Sequence, residues 1–562
     1  MTAAWSTSRE RRSLELVCAG LLLTLSLLIP FILWRHAWYE WANYYWLVLQ
    51  QQKAVSSGFF PTYFIQTPST GFFYPVFTFN GAPAYWLTAV LGTAFGSGWA
   101  AFLIMLGLAS SASYLGMWWI SRMSGLSRAW SALPALLVAM SSYTADDLYG
   151  RGDWTELIVI GFLPLLAASL ISLIRRPVAP ASRMACLIMA TVMVLGSDNA
   201  TVIALCVFAV VVAVCFLPLL PRAKVVWRGV LLATSAAAIG GCLDAWYLVP
   251  SIAYGHKIAI YQDTINFISQ GVTAPFDRFV LILNPARSII DRTTNFHPQL
   301  ASLVLLWSLI TVVYWMRKPE LRRVAISAIG AIACCIALLS SDAIWAFLPR
   351  VVRALQFPFR MIPFAGFAVA ALFIISLRAV GTRALWRATA LLACSFVVAL
   401  TVFQVWEAKN EGWNGHPMIV NADVTTYPFT FGGQQGGFHF PSPHPLSDPT
   451  QRIALRAAAN HSFGARAHPG LAVVDVAWSP LLAASNAEIL GVDSSGFAVV
   501  RAFGTNVSFR SQITPPVLVG LILTFVALVS IPVTLVVCAC RRRSGPTTSA
   551  GVHHLQPGIR RA

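Results

Sequence analysis

The sequence carries very little charge for its length. Only 11% of its 562 residues are charged, whereas 57% are hydrophobic, and its mean hydropathy is +0.69. A soluble domain of this size has about a quarter of its residues charged. The composition therefore excludes a soluble protein and predicts an all-α polytopic membrane protein, because helices satisfy their own backbone hydrogen bonds inside a bilayer.

Several motifs are also missing. The chain has no glycine-rich phosphate-binding loop and no zinc-ligand spacing, which disfavours a nucleotide-driven pump. Its ten cysteines all lie in or beside apolar segments, which excludes a disulfide framework in the loops. The apolar segments contain almost no acids apart from Asp198 and Asp244, and this scarcity argues against proton-coupled transport.

Basic residues are in excess, 39 against 21 acidic ones, which gives a net charge of +18. They collect in short segments between apolar runs, as in the cytoplasmic loops of membrane proteins. We therefore expect no nucleic-acid partner. We expect both termini to be cytoplasmic and the longer, acid-containing segments to lie outside the membrane on the other face.

Twelve windows are apolar and long enough, at about 17–25 residues, to cross a membrane. We therefore predict about 12 transmembrane helices. The windows lie near residues 14–34, 99–121, 128–144, 155–174, 182–197, 200–220, 227–249, 299–316, 324–341, 361–377, 386–403 and 514–540.

The composition changes after residue 403. Residues 404–513 have few long apolar runs, a glycine-rich turn and short β-like runs at 471–476 and 496–500, which are typical of strands. We predict a membrane domain over 1–403 and a small β-rich extracytoplasmic domain over 404–513. A last transmembrane helix over 514–540 and a basic cytoplasmic tail over 541–562 complete the predicted organisation.

One short stretch between two apolar windows is unusually rich in charge. Residues 146–156 include Asp146, Asp147, Arg151, Asp153 and Glu156. Charge beside hydrocarbon is costly and is usually retained where it lines a polar cavity or does chemistry. The alternative is structural, because these carboxylates could cap the next helix or pair with Arg151. The stretch is therefore a candidate site.

Three stretches carry a family resemblance. They are Phe-Phe-Tyr-Pro at 72–75 with Asn-Gly-Ala-Pro-Ala-Tyr-Trp-Leu at 80–87, Asp-Leu-Tyr at 147–149 with Arg-Gly at 151–152, Glu156 and Leu-Pro-Leu at 163–165, and Leu-Gln-Phe-Pro-Phe-Arg at 355–360. In this order they resemble elements of YfhO-like bacterial membrane proteins and of related proteins with a pyruvoyl-tetrahydropterin-synthase-related label. The family usually has Trp where this chain has Phe359.

The resemblance implies a GT-C-type glycosyltransferase in the bacterial inner membrane. Its partners would be a polyprenyl-phosphate-linked sugar, membrane lipid and a glycan or lipid acceptor. No cofactor is certain, a divalent metal stays open, and no metal-binding residues are assigned. The implied catalytic residues are Glu40, Asp147 and Asp153, and the implied substrate-binding residues are Arg151, Glu156, Tyr74, Gln356 and Arg360.

These residue types suit sugar transfer from a phosphate carrier. The leaving phosphate has a second pKa of about 6, so it needs cationic stabilisation rather than a proton, and arginine provides this as a planar fork. The acceptor hydroxyl needs a carboxylate within hydrogen-bond reach to take its proton. An enzyme of this kind would place Glu40, the acids of residues 146–156 and Arg360 around one deep cavity open to lipid.

Two other functions remain open. The family more often has His-Asp where this chain has His36-Ala37, which favours a non-catalytic scaffold of envelope polysaccharide assembly. A transporter or flippase of a lipid-linked saccharide would use a similar cavity but would continue its polar lining through the spans. Arg360 and Glu156 also have structural interpretations, since an arginine near a span end can reach the interface and a carboxylate favours a helix N-terminus.

The arginine distribution predicts the topology. Of two reporters fused after Thr450, only the one that is active outside the cytoplasm should show activity. The reason is that the basic segments place residues 404–513 outside the cytoplasm. Paired alkaline phosphatase and β-galactosidase fusions measure this directly, and a fusion after Arg543 is the cytoplasmic control. Activity of only the cytoplasmic reporter after Thr450 would refute the topology.

Overall fold

The computed structural model of the protein describes residues 2–34, 39–66, 73, 75–175, 180–216, 227–255, 300–340, 342–353, 358–410, 451–457, 462–493 and 497–543. The chain is mostly helical up to Asn410, and a small region of strands precedes a final long helix. This is the arrangement that the composition predicts for a helical membrane protein with a small β-rich region near its C-terminus.

The described helices fall into four groups along the chain. The first group is α1 (Thr2–Ser26), α2 (Ile29–Trp34), α3 (Tyr39–Ser56), α4 (Ala82–Phe95) and α5 (Gly98–Met123). The second is α6 (Ala132–Ala139), α7 (Ser142–Asp146), α8 (Trp154–Arg175), α9 (Pro180–Leu195) and α10 (Asn199–Phe216). The third is α11 (Trp227–Leu243), α12 (Ala245–Gly255), α13 (Ser302–Trp315) and α14 (Pro319–Ser340). The last is α15 (Asp342–Phe347), α16 (Arg350–Arg353), α17 (Ile362–Val380), α18 (Ala384–Asn410) and α19 (Pro515–Arg543).

Seven helices in the described parts of the chain are long and apolar enough to cross a membrane. An eighth span exists if α11 and α12, which meet at a bend of 72°, cross together. The expectation of twelve spans is therefore wrong for the described chain. The seven spans are Gly98–Met123, Trp154–Arg175, Asn199–Phe216, Pro319–Ser340, Phe359–Val380, Ala384–Trp406 and Pro515–Pro532.

The remaining windows contain helices that are short or broken. The first window breaks between α1 and α2, where Pro30 lacks a backbone N–H to continue the helix. The third breaks between α6 and α7, because the Ser141 hydroxyl accepts from the Thr144 N–H at 3.2 Å and starts a new helix. The apolar parts of α9 and α13 have only 15 and 14 residues, Ala181–Leu195 and Ser302–Trp315, which is below the length of a span.

Helix α8 is held tightly against α5 by two glycines. A Cβ at Gly161 would lie 2.7 Å from the Ala109 carbonyl oxygen, and one at Gly116 would collide with the backbone at Leu165. Small residues let two backbones approach in this way, as is common between membrane helices. The close packing fixes the position at which α8 begins, and the charged residues of its first turn are placed with it.

The β region consists of two four-stranded sheets. One has the order β1-β4-β7-β6, in which β1 is parallel to β4 and the other pairs are antiparallel, and the second has the antiparallel order β2-β3-β8-β5. Both sheets contribute side chains to one buried core. The strands are β1 (Arg452–Ile453), β2 (Arg456–Ala457), β3 (Ser462–Arg466), β4 (Gly470–Ala477), β5 (Leu482–Ser485), β6 (Ala487–Val492), β7 (Phe497–Ala502) and β8 (Asn506–Ser511).

Both predicted β-like runs are strands, since 471–476 lies in β4 and 497–500 lies in β7. The predicted domain boundary at residue 404 falls inside α18, which continues to Asn410. The glycine-rich turn lies outside the described residues. The predicted last span corresponds to α19.

Phe73 joins the β region to the helical region. Its N–H donates to the Asp475 carbonyl at 3.1 Å, and its own carbonyl accepts from the Ala477 N–H at 2.8 Å, so it adds one parallel bridge to β4. Its ring also stacks on Phe463 with the ring centres 3.9 Å apart. The loop before α4 is therefore part of the core that the two regions share.

A tight turn connects α7 to α8. Residues Asp147–Arg151 form one π-helical turn, a local irregularity that is often found at functional sites. Gly152 closes it with a φ of 85°, and its N–H donates to the Asp147 carbonyl at 2.8 Å. A Cβ at Gly152 would lie 2.8 Å from Cδ1 of Trp41. Only glycine satisfies both the positive φ and the contact with the indole.

Gly152→Ala should therefore destabilise the protein more than Gly96→Ala. Gly96 also has a positive φ, 68°, but a Cβ added there would meet nothing within 4 Å. Alanine at Gly96 therefore loses only the free energy of adopting the left-handed conformation, about 1–2 kcal/mol. Alanine at Gly152 should cost about 1–3 kcal/mol more, because Trp41 must move. Chemical denaturation of the purified variants in detergent measures the difference, and equal losses would contradict the packing argument.

Candidate functional site

Three apolar helices begin at the same place in the bundle. Asp153 directly precedes α8, Asp198 directly precedes α10, and Arg360 lies in the 3₁₀ turn Pro358–Met361 before α17. We call this region the site end of the bundle. A helix N-terminus presents unpaired N–H groups and a partial positive charge, so it favours carboxylates.

Both aspartates cap the helices that they precede. An Asp153 oxygen accepts from the Glu156 N–H at 3.0 Å and from the Thr155 hydroxyl at 2.8 Å. An Asp198 oxygen accepts from the Thr201 N–H at 2.9 Å and also from the Thr201 hydroxyl. Both contacts are the N-cap arrangement expected of an aspartate before a helix. The structural alternative therefore holds for both residues, and it leaves open a second role for each.

Arg360 is the cation at the centre of the site. Its Nε donates to Glu156 Oε2 at 3.1 Å, and one terminal nitrogen lies 3.5 Å from Asp153 Oδ2. The side chain is 5% exposed, and those of Asp153 and Glu156 are 3% and 0% exposed. Arg360 therefore does not extend to an interface. It holds together two residues that lie more than 200 positions earlier in the sequence.

Glu156 is also bound by a tyrosine. The Tyr143 hydroxyl donates to Glu156 Oε1, while Arg360 occupies Oε2. Tyr143 and Glu156 are both buried. Each oxygen of this carboxylate thus has a donor, as a buried charge requires. Among the described side chains, the guanidinium that contacts Glu156 belongs to Arg360. The expected pairing of Arg151 with Asp147 or Glu156 stays a prediction, because the side chain of Arg151 lies outside the described residues.

Asp198 belongs to the same electrostatic cluster. Burial raises the pKa of its carboxyl above the ordinary value, Arg360 lowers it, and the carboxylates of Asp153 and Glu156 raise it again. Its side chain nevertheless keeps some exposed surface. The sequence analysis noted Asp198 only as one of the few acids in the apolar segments. An aspartate directly before an apolar run is an N-cap signal, but its proximity to Arg360 depends on how α8, α10 and α17 pack.

The neighbouring residue Asn199 links this cluster to the loop before α4. Its amide nitrogen donates to the Phe79 carbonyl at 2.8 Å, and its amide oxygen accepts from the Tyr247 hydroxyl at 2.9 Å. The same hydroxyl accepts from the Gly81 N–H at 3.2 Å. The stretch 80–87 is therefore tied to the start of α10.

An aromatic layer lies beside the charged residues. Trp154, the first residue of α8, stacks on Tyr85 at 5.3 Å and on Phe102 at 5.1 Å between ring centres. All three side chains are buried. Aromatic surface of this kind excludes water and strengthens the charge interactions next to it.

Asp147 is more deeply buried than the sequence suggested for a proton acceptor. Its exposed fraction is 0%, and it lies in a turn anchored by two long-range hydrogen bonds. The Trp41 indole donates to the Leu148 carbonyl at 2.8 Å, and the Tyr149 hydroxyl donates to the Leu27 carbonyl. A substrate can reach Asp147 only if this turn moves.

The other sequence candidates are only partly described. Glu40 lies on α3 and Arg151 on the π-helical turn, but their side chains lie outside the described residues, as do Tyr74 and Gln356. Within the described ranges, no group of three or more His, Cys, Asp or Glu side chains is arranged to hold a metal ion. The expected deep cavity around Glu40 and the acids of residues 146–156 stays a prediction, because the side chains of Glu40 and Arg151 lie outside the described residues.

Removing Arg360 should be strongly destabilising. Arg360→Met leaves Asp153 and Glu156 buried beside each other without their cation, and breaking a buried pair costs about 3–5 kcal/mol. Arg452→Met is a matched control, because the Arg452–Asp475 pair is close, at 2.7 Å, but the arginine is 62% exposed, and such pairs contribute about 0–1 kcal/mol.

The measurement is the free energy of unfolding of both variants in detergent. Adding Glu156→Gln to Arg360→Met should recover part of the loss, because one uncompensated charge is then removed. If Arg360→Met were no more damaging than Arg452→Met, the cluster would not be held by its cation.

No protein-family model and no curated protein matches this chain. The case for a function therefore rests on the chain's own residues. At one end of a bundle of apolar helices, Asp153 and Glu156 contact the guanidinium of Arg360, and Asp198 lies within its electrostatic influence.

Proposed function

We propose that the protein is a GT-C-type membrane glycosyltransferase that moves a sugar from a polyprenyl-phosphate carrier to a glycan or lipid acceptor. One observation carries this proposal: the three stretches that resemble YfhO-like proteins meet at one site. Tyr85 of the first stretch stacks on Trp154, which adjoins Glu156 of the second, and Glu156 binds Arg360 of the third. Residues far apart in sequence gather in this way where they serve a common site.

The charge of the helix ends supports an outer-face location. Arg122, Arg175 and Arg378 lie in the last turns of α5, α8 and α17, and therefore at the end of each helix away from its start. The site end lies opposite the arginines of α8 and α17. If those arginines face the cytoplasm, the site faces outward, where lipid-linked sugars are used, and we propose the bacterial inner membrane as the location.

Asp198 is the proposed proton acceptor. It keeps exposed surface, and its raised pKa makes it a better base than an ordinary aspartate. Asp153 and Glu156 are engaged by Arg360 and hold the site in shape. Asp198 replaces Asp147 and Asp153 among the three predicted catalytic carboxylates, because Asp147 is buried in its turn and Asp153 has both a cap and an ion pair. Glu40, the first of the three, stays a candidate.

The carrier phosphate needs positive charge from several sources. Arg360 contacts two carboxylates and influences a third electrostatically, so the cluster by itself has more negative than positive charge and would not attract a phosphate. The starts of α8, α10 and α17 supply partial positive charge. Arg151, on the turn that leads into α8, is the further cation that the sequence offers.

Transport of a lipid-linked saccharide is the alternative that a specific observation favours. Helices α11 and α12 meet at a bend of 72°, and the buried Asp244 at this break has an oxygen without a hydrogen-bond partner in the described structure. Thr524 of α19 satisfies the Cys242 and Leu243 carbonyls there. Broken helices with a polar residue at mid-membrane are common in transporters. Proteoliposomes that move the saccharide across the bilayer without sugar transfer would establish transport, and neither activity would favour a scaffold.

Asp198→Asn should abolish sugar transfer while preserving the fold. The amide keeps the shape of the carboxyl and can still accept from Thr201, but it cannot take a proton. The assay is transfer from radiolabelled polyprenyl-phosphate sugars by the purified protein in vesicles. Asp475→Asn, which changes an aspartate in the β region, is the activity control.

The pH dependence of the free energy of unfolding gives a second measurement on the same variant. Because the pKa of Asp198 is raised above its ordinary 3.8, ionising it in the folded protein costs free energy, and wild-type stability falls as pH rises through the raised pKa. The asparagine variant lacks this loss and should be at least as stable at neutral pH. The difference should shrink as pH falls from the raised pKa toward about 4, and it should be absent below that pH, where the carboxyl is protonated in both the folded and the unfolded protein. Full transfer by this variant would remove Asp198 from the mechanism.

A further inference from the structure

A cavity lies between the helices next to the charged cluster. The space open to the centre of a water-sized molecule is about 50 Å³, which is room for a few waters or for a short stretch of a narrow chain. Its walls come from α6, α7, α8, α13, α17 and α18 and from the residues just before α7 and α13. The lining residues are Leu137, Val138, Ser141, Ser142, Tyr143, Ile160, Leu300, Ala301, Ser302, Leu303, Ile362, Pro363, Gly366, Phe367, Val397, Leu400, Thr401 and Gln404.

The lining contains no Asp, Glu, Lys, Arg or His. Most of it is aliphatic or aromatic, and α17 and α18 have the composition of membrane spans. The natural surroundings of such a cavity are lipid chains. A charged headgroup has no counter-charge inside it and would lose its hydration without compensation.

Gln404 is the exception in this apolar wall. The residue is 8% exposed, and neither its amide nitrogen nor its amide oxygen has a hydrogen-bond partner in the described structure. Buried side-chain amides are normally hydrogen-bonded. An amide whose nitrogen and oxygen both lack a hydrogen-bond partner lowers the stability of the folded protein. By contrast, the Thr401 hydroxyl one turn earlier is satisfied by the Met140 and Val397 carbonyls. The unpaired amide therefore points to a ligand.

We propose that this cavity binds a neutral lipid alcohol from the bilayer, with its hydrocarbon chain along the apolar wall and its hydroxyl against the Gln404 amide. A hydroxyl both donates and accepts, so it can match either end of the unpaired amide. A plain hydrocarbon chain offers neither, and an ester or ether offers only an acceptor. The inference concerns binding alone and does not depend on sugar transfer.

Tyr143 connects this binding site to the charged cluster. Its ring is part of the cavity wall, and its hydroxyl donates to Glu156, which binds Arg360. A lipid in the cavity would therefore pack against the residue that orients Glu156.

The test compares three photoreactive probes of equal chain length: an alcohol, its methyl ether and the corresponding alkane. Each is added to the full-length protein in phosphatidylcholine nanodiscs, and labelling of the peptides that contain Ile362 and Gln404 is measured by mass spectrometry against probe concentration. For the wild type we expect the alcohol to bind about tenfold more tightly than the alkane, the ratio for one buried hydrogen bond. The affinity of the methyl ether should lie between those of the alcohol and the alkane.

Two variants distinguish the contribution of the Gln404 amide to binding from the contribution of the cavity itself. Gln404→Leu should lose the preference for the alcohol but keep alkane binding. Gly366→Leu should abolish binding of all three probes, because Gly366 lines the cavity and nothing lies within 4 Å of the position of its Cβ, so leucine can fill the space without disturbing the fold. Gln51→Leu, at a buried glutamine away from the cavity, is the matched control and should behave like the wild type.

Equal binding of alcohol and alkane to the wild type would overturn the proposal and would indicate a plain hydrocarbon site. An alcohol preference that survives Gln404→Leu would overturn it as well, because another group would then recognise the hydroxyl. Labelling that survives Gly366→Leu would place the bound lipid outside this cavity. None of these outcomes depends on whether the protein transfers sugar.

Discussion

The structure depends most on the buried ion cluster of Arg360 with Glu156 and Asp153. These charges lie at the starts of α8 and α17, where the side chains are at most 5% exposed. Two carboxylates cannot stay ionised and buried without a cation and several hydrogen-bond donors. Arg360, Tyr143 and the N-terminal N–H groups of α8 supply both. Because the buried carboxylates require these partners, α8, α17 and the residues around α7 are held in one fixed arrangement.

The same constraint explains why a candidate site and structural support coincide here. Asp153 and Asp198 cap their helices, which is the structural role expected of them, and the packing of those helices brings the caps together around one guanidinium. A cluster held this firmly is preorganised, so a reacting group meets fixed charges rather than mobile ones. The cavity beside it adds an apolar surface that shares Tyr143 with the cluster. Together they combine a charged site with a place for a lipid chain.

Much of the helical organisation could be predicted from the sequence. Long apolar windows predicted α5, α8, α10, α14, α17, α18 and α19 because hydropathy over about 20 residues is a strong signal. The short β-like runs predicted β4 and β7. The number of spans was overestimated, because hydropathy does not register breaks at Pro30, at Ser141 and at the residues before Asp244. Those breaks arise from a missing N–H, a hydroxyl cap and a contact with Thr524.

The sequence by itself determined the class of the protein and the position of its charged stretch with Asp153 and Glu156, because composition and local pattern carry that information. Arg360 was a candidate only through the resemblance of residues 355–360 to YfhO-like proteins. Only the tertiary structure decided which charges meet. The partner of Glu156 is Arg360, 204 residues away, and Asp198 joins them although its own neighbourhood looks like an ordinary turn. The physical reason is that an ion pair across helices depends on how those helices pack, and packing is set by contacts such as Gly116 and Gly161 against their neighbours. No local pattern around Asp198 contains that information.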